Sequence, residues 1–222
     1  MKNIRIIFPI IMLLFSSALC YSQKTISEGA LVYDLTIRLA GADSSAANVL
    51  GRATVTESVK GGLSRTDMFS SLGTEATIHD SKTGSAVILK EYSGQKLMIT
   101  LTKENWEARN KKFDGVIFKY DNADTKNING YVCKKATTQL SDGTSISVYY
   151  TTDVNVLNKE YNRMFNNLGG TPVQYEVVDG KFKYSYKLSK IDISPITSAK
   201  FDFPKSGYRE MTYEESEQHK NN

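Results

Sequence analysis

The sequence is poor in the residues that usually build reactive centres. It holds two cysteines, two histidines and one tryptophan in 222 residues. Cys20 lies in the first 22 residues. If that segment is removed, Cys133 has no second cysteine to pair with, and it reads as a small buried hydrophobe in a strand. Two histidines are too few for a clustered metal site. His219 sits near the C-terminal end, and His79 and Asp80 are strand neighbours that point to opposite faces. No metal and no cofactor are therefore expected. A Ser–His–Asp system would depend on His79 alone, and no G-x-S-x-G elbow is present. The glycine-rich phosphate cradles G-x-G-x-x-G and G-x-x-x-x-G-K-[ST] are also missing. A bias of charge is lacking too. Against 24 Asp+Glu stand 28 Lys+Arg, and two of those cations, Lys2 and Arg5, fall in the first 22 residues. A nearly neutral chain has no broad field to draw nucleic acid or an anionic membrane.

Only one long apolar run exists, Ile6 to Leu19, preceded by Lys2 and Arg5 and followed by small residues. That is the secretory signal pattern, too short to span a bilayer comfortably. Residues 1–22 are read as a signal peptide cleaved after Ser22, leaving Gln23 first. The alternative makes Cys20 a lipidated first residue, although Leu19 stands where a small residue is usual. The expected organisation is a single β domain over 23–213 and a flexible polar tail over 214–222, in the periplasm or secreted.

What the chain has in quantity is turns and alternation. Asp114-Gly115, Asn129-Gly130, Asp142-Gly143 and Asp179-Gly180 supply the φ > 0 geometry of tight hairpins, and Gly61-Gly62, Leu72-Gly73, Thr83-Gly84 and Ser93-Gly94 add weaker breaks. Between them, apolar residues occupy every second position, as in Leu31, Tyr33, Leu35, Ile37 and Leu39. In 181–188, Phe182, Tyr184, Tyr186 and Leu188 share one face and Lys181, Lys183 and Lys187 the other. The phase then slips, predicting a bulge near Ser189-Lys190. About 11 strands are expected in a mainly β fold, a curved antiparallel sheet forming an unclosed barrel, with two helices over its open side.

The first helix is predicted over 102–112 around Trp106, with Thr102 as N-cap. The second is predicted over 155–168, where Leu157, Tyr161, Met164, Phe165 and Leu168 recur at helical spacing. Gly169 would end it and Pro172 would prevent its continuation. Gly169-Gly170-Thr171-Pro172 follows a helix instead of opening one, so it is no anion cradle.

Three segments resemble a known family. Leu168-Gly169-Gly170-Thr171-Pro172-Val173-Gln174-Tyr175-Glu176-Val177 is similar to the G-L-P-G-L signature of the GLPGLI-type secreted proteins of Gram-negative envelopes, departing from it at Gly170 and Thr171. The run 129–136 resembles their G-Y-x-C-x-K segment, and Phe201 to Tyr208 their closing F-x-x-P-x-G-Y strand. Arg65-Thr66-Asp67, Thr77 to Asp80 and Lys96-Leu97 resemble hairpins of the lipoprotein carrier LolA and its relatives. The resemblance implies an unclosed antiparallel barrel plugged by helices, with an apolar hollow that in LolA relatives holds lipoprotein acyl chains.

The expected function is non-enzymatic binding of an apolar or amphipathic ligand, a lipid or lipoprotein acyl chain. The expected site is a hydrophobic hollow lined by Trp106, Tyr161, Met164, Phe165, Tyr175, Phe182, Tyr184 and Tyr186. The same aromatic residues could instead simply fill a core. Two other functions stay open. One is an envelope interaction module that docks through Lys181, Lys183 and Lys187. The other is a hydrolase using strand carboxylates, with Asp67, Asp80 and Glu91 read as solvated neighbours of Lys or Arg. A monomer without nucleic-acid partners is expected, with peripheral contacts to envelope proteins at most.

Overall fold

The computed structural model describes residues 24–43 and 45–218. The segment 1–22 with its cleavage point, Cys20, His219 and the last residues of the tail lie outside them. In chain order the strands are β1 (Lys24–Ile26), β2 (Glu28–Leu39), β3 (Val49–Lys60), β4 (Leu63–Ser70), β5 (Gly73–Asp80), β6 (Ala86–Tyr92) and β7 (Gln95–Leu101). Helix α1 (Lys103–Asn110) follows, then β8 (Lys119–Ile128), β9 (Tyr131–Gln139), β10 (Ser145–Thr151) and β11 (Val154–Val156). The chain closes with β12 (Thr171–Asp179), β13 (Phe182–Asp192), β14 (Arg209–Thr212) and α2 (Tyr213–Gln218).

Twelve strands form one sheet in the order β14-β7-β6-β5-β4-β3-β2-β13-β12-β10-β9-β8. Its end strands do not pair with each other, so it stays open, as predicted. Two meanders meet at one seam: β2 to β7 run consecutively, and β13 joins them by pairing antiparallel with β2 from Phe182↔Leu39 to Asp192↔Ala30. The register slips between Leu188 and Lys190, the expected bulge. Asn129 and Gly130, both at positive φ, make the turn between β8 and β9 that the sequence announces. The strand count exceeds the expected one because β1, β11 and β14 have only three or four residues, too few to show alternation. β1 and β11 form a separate parallel pair.

The core lies on the inner face of the sheet. Leu31, Tyr33 and Leu35 of β2 meet Val55 and Val59 of β3, Tyr175 of β12 and Leu188 of β13 there. Cys133 is fully buried in the same cluster, and burial pushes its thiol up to about 11, which makes it inert. The opposite face of β5 to β7 is covered by the segment after β13. Phe201 and Tyr208 pack against Ala76, Ile78, Leu89 and Met98. Residues 201–208 are thus a covering loop and not the strand implied by the resemblance. Pro204 lacks the ladder donor and Gly207 bends at φ 84, so pairing starts only at Arg209.

Helix α1 forms where predicted, because the Thr102 hydroxyl accepts from the Asn105 amide and caps it. The predicted helix over 155–168 does not form. Val154-Asn155-Val156 alternates and pairs with β1, and Leu157 is left 56% exposed. Lys159–Phe165 then forms two 3₁₀ turns, broken at Asn162 with φ −151 and ψ 87. Asn155, Asn158, Asn162, Asn166 and Asn167 explain this, because asparagine amides compete for backbone partners. Asn158 accepts from the Glu160 amide and donates to the Leu63 carbonyl. Gly169 is therefore no helix stop. Gly170 is the constrained glycine, since a Cβ there would lie 2.3 Å from the Thr151 carbonyl oxygen. Residues 214–218 of the predicted tail are helical, because Thr212 and Glu215 form a reciprocal capping box that starts α2.

Candidate functional site

Helix α1 and the 3₁₀ turns at 159–165 lie over the inner face of β3, β4, β5, β12 and β13, and a cavity of about 260 Å³ is left between them. Its floor is Val55 and Glu57 of β3, with Thr66 of β4 and Thr77 of β5 beside them. Tyr175 and Tyr186 form one wall, stacked on each other at 4.3 Å between ring centroids. Trp106 and Phe113 form the facing wall, and Tyr161 and Met164 close the cavity from the 3₁₀ turns. Arg109 and Arg163 stand at its margin, each half-buried.

Glu57 is the unusual member. Strand alternation places it on the inner face between Val55 and Val59, where an apolar residue is the rule, and it is only 3% exposed. The Asn162 side-chain amide donates to its Oε1 at 2.8 Å, while Oε2 has no partner. The break at Asn162 is what brings that amide over the sheet. Burial pushes the Glu57 carboxyl up to about 8, against the opposing effect of the Asn162 bond. Burial, followed by the field of Glu57, also raises Tyr161 and Tyr175 well above the ordinary phenol value, and raises Tyr186 to about 12. Tyr33, raised in the same way, donates to the Pro172 carbonyl at 2.9 Å. Neutral phenols thus surround the Glu57 carboxyl, while the second carboxyl of the lining, Glu160, pairs with Arg163 at 3.5 Å.

The Trp106 ring stacks on His79 with centroids 4.6 Å apart and planes 17° from parallel. Neither Trp106 Nε1 nor His79 Nδ1 has a hydrogen-bond partner. Burial lowers the His79 pKa, holding the imidazole neutral. His79 is therefore a buried support for Trp106 and not an ordinary polar strand residue.

Of the eight residues expected to line a hydrophobic hollow, the cavity gathers Trp106, Tyr161, Met164, Tyr175 and Tyr186. Phe165 lies behind them in the core, edge-on to Tyr175 at 4.8 Å and stacked on Phe118. Phe182 and Tyr184 touch each other and lie outside the cavity. They pair with Asp179 and Val177, toward the far end of β13, so the strand carries them past the lid. The hollow is also less apolar than expected, because Glu57, Asn110 and Asn162 contribute to it. Sequence reasoning missed Glu57 and Asn162. The available signal was a carboxylate on the apolar parity of Val55 and Val59.

Asp67 is not solvated as expected. It is 3% exposed and ion-paired with Arg65 at 2.8 Å and with Lys200 at 2.7 Å, which ties β4 to the covering loop. On the lysine face of β13, Lys183 pairs with Glu176 at 3.5 Å and Lys181 lies over the Phe182 ring. Among the described residues, no three His, Cys, Asp or Glu side chains converge as metal ligands would. A larger groove of about 470 Å³ runs beside Thr137, Ser147 and Glu176, but none of its lining side chains has an unpartnered buried polar atom.

No family model matches the chain, and no curated protein matches it. Solved structures do show likeness at low identity. PNGF-II is 13% identical with a TM-score of 0.47 over 87% of this chain, which spans only 33% of that protein. An uncharacterised conserved protein from Thermus thermophilus is 10% identical with a TM-score of 0.46, covering 86% of this chain and 92% of that one. A candidate outer membrane lipoprotein-sorting protein domain from Vibrio parahaemolyticus is 8% identical with a TM-score of 0.22, covering 79% of this chain and 89% of that one. With every score below 0.5, the functional reading rests on the cavity.

Proposed function

We propose that this chain is a non-enzymatic binding module that holds a small amphipathic molecule in the cavity beneath α1 and the 159–165 turns. One observation carries the reading: an open pocket of about 260 Å³, lined by aromatic rings, has in its wall a buried carboxyl with an unpartnered oxygen. Binding sites combine apolar walls with a few fixed polar groups. The volume lies just below the usual range of about 300–1,000 Å³ for ligand pockets. It suits a single ring or a short chain better than the long acyl tail of a lipoprotein. The signal pattern of residues 1–22 supports a place in the periplasm or outside the cell.

Trp106 is the chain's single tryptophan and lines the cavity, so its emission reports occupancy. Titration with short-chain amphiphiles should shift that emission saturably. Mass spectrometry of an organic extract of the purified protein should detect a small amphiphile. An unmoved Trp106 signal together with an empty extract would sink the binding reading.

A second reading draws on the same carboxyl. A glutamate raised to about 8 suits a general acid, and perturbed carboxyls often mark catalytic sites. Hydrolysis that Glu57→Gln abolishes would favour that reading over simple binding.

A further inference from the structure

Resting on the binding reading, we infer that the ligand carries an amine, held as an ammonium by the free oxygen of Glu57, on a short aromatic or aliphatic body that stacks on Trp106 and Tyr186. Glu57 is more than nine-tenths buried and half satisfied. Asn162 occupies Oε1, and among the described residues no group hydrogen-bonds Oε2. Once the carboxyl has lost its proton, a buried oxygen left unpaired is costly, and an ammonium donor from the ligand removes that cost. Rotation about the terminal torsion, broad for glutamate, presents either oxygen to the cavity.

The surroundings select a cation over other donors. Aromatic faces carry negative quadrupoles that attract ammonium groups, and three phenol rings and an indole line this cavity. The competing cations sit at the margin. Arg163 is already paired with Asp114 at 3.2 Å and Glu160 at 3.5 Å. Arg109 is half-buried on α1, and its charge disfavours a second positive group at the mouth. A ligand with one ammonium, directed inward, satisfies both constraints.

Binding should then be coupled to protons. The titratable groups that feel Glu57 are Tyr33 from β2, Tyr175 from β12, Tyr186 from β13 and Tyr161 from the 3₁₀ turns, while Glu160 and Arg163 from the same turns and Arg109 from α1 share the pocket lining. The phenols stay neutral below pH 9, because burial raises each of them. The carboxyl of the free protein, raised to about 8 by burial, must lose its proton to pair with the ammonium. At pH 7 binding should therefore release close to one proton. Affinity should rise roughly 20-fold between pH 6.5 and pH 8.5 as the competent carboxylate form becomes populated.

The test uses the mature chain and three probes of one shape: phenethylamine, 3-phenylpropionate and acetophenone. Trp106 emission and titration calorimetry in two buffers of different ionisation enthalpy give affinity and proton release. Phenethylamine should bind at least tenfold more tightly than the other two, with the proton release and pH dependence stated above. Glu57→Gln should remove that preference, bringing phenethylamine down to or below the affinity of acetophenone for the same variant and abolishing the proton release. If the variant does not fold, proton release by the unaltered protein still decides the matter. Equal or tighter binding of the acid or the ketone, or amine binding without proton release, overturns the inference and leaves the binding module standing. Saturable binding of none of the three overturns both.

Discussion

Burying Glu57 should make stability depend on pH in an unusual direction. In the unfolded chain the carboxyl titrates near the ordinary glutamate value of 4.5, and in the folded chain it titrates near 8. Between those values the folded protein keeps a proton that the unfolded chain has lost. Stability therefore falls as pH rises through this window, and it levels off above about 8. From pH 5 to pH 8 the loss from this one group is roughly 4 kcal/mol, at about 1.36 kcal/mol per pH unit. Water drawn into the cavity would reduce the figure. Glu57→Gln isolates it. The amide keeps an oxygen for Asn162, never ionises, and leaves its own N–H groups short of partners at every pH, a cost of about 1–3 kcal/mol. The variant should thus melt somewhat below the parent at pH 5 and well above it at pH 9. The difference should swing by roughly 8–16 °C across that range, at about 2–4 °C per kcal/mol for a domain of this size. Scanning calorimetry of both proteins at several pH values is the assay. A constant gap between the two melting temperatures would refute the raised carboxyl.

The remaining predictions concern what frames the cavity. Asn162→Ala strips Glu57 of its one donor, so the loss should be about 1–3 kcal/mol at pH 9 and smaller at pH 5, measured by urea unfolding. Gly170→Ala drives a Cβ into the Thr151 carbonyl at 2.3 Å and should cost about 2 kcal/mol or more. Gly169→Ala meets only the Tyr120 hydroxyl at 3.6 Å and should leave the melting temperature unchanged. Equal effects of the two glycine variants would contradict the packing described for β10 and β12. Thr212→Ala removes half of the capping box and should cost α2 about 1 kcal/mol, seen as faster amide exchange confined to 213–218.

The sheet was legible because its rule is local. Period-two patterning in β2 and β13 states which face is buried, and turn glycines state where strands end. The bulge after Leu188 could be read from the change of parity alone. Tyr186 was legible through the same patterning, and Trp106 as the one large apolar residue of the helix predicted over 102–112. The lid was not legible. Leu157, Tyr161, Met164, Phe165 and Leu168 keep helical spacing, but Asn158 and Asn162 between them find partners 95 and 105 residues away in sequence, at Leu63 and Glu57. Such partners carry no local signal. Phe182 and Tyr184 failed as site residues for a geometric reason: alternation gives the face of a strand but not the position along it that a lid covers. Asp67 read as solvated because Lys200, which pairs with it, lies 133 residues downstream.

The single seam between β2 and β13 has a consequence for how the cavity comes into being. Val55, Glu57, Thr66 and Thr77 belong to the meander on one side of it, while Tyr175, Tyr186 and the 159–165 turns belong to the other. Neither half contains a binding site alone. Closing the seam joins residues about 150 positions apart, the kind of long-range pairing that comes late and slowly in folding. An occupant touching both halves acts as a clasp across that join. By mass action it would slow their separation and raise the resistance of the whole sheet to unfolding, without contacting β2 at all. Occupancy and integrity of the fold are then one equilibrium, and a cell that removes unfolded chains would retain the filled protein over the empty one.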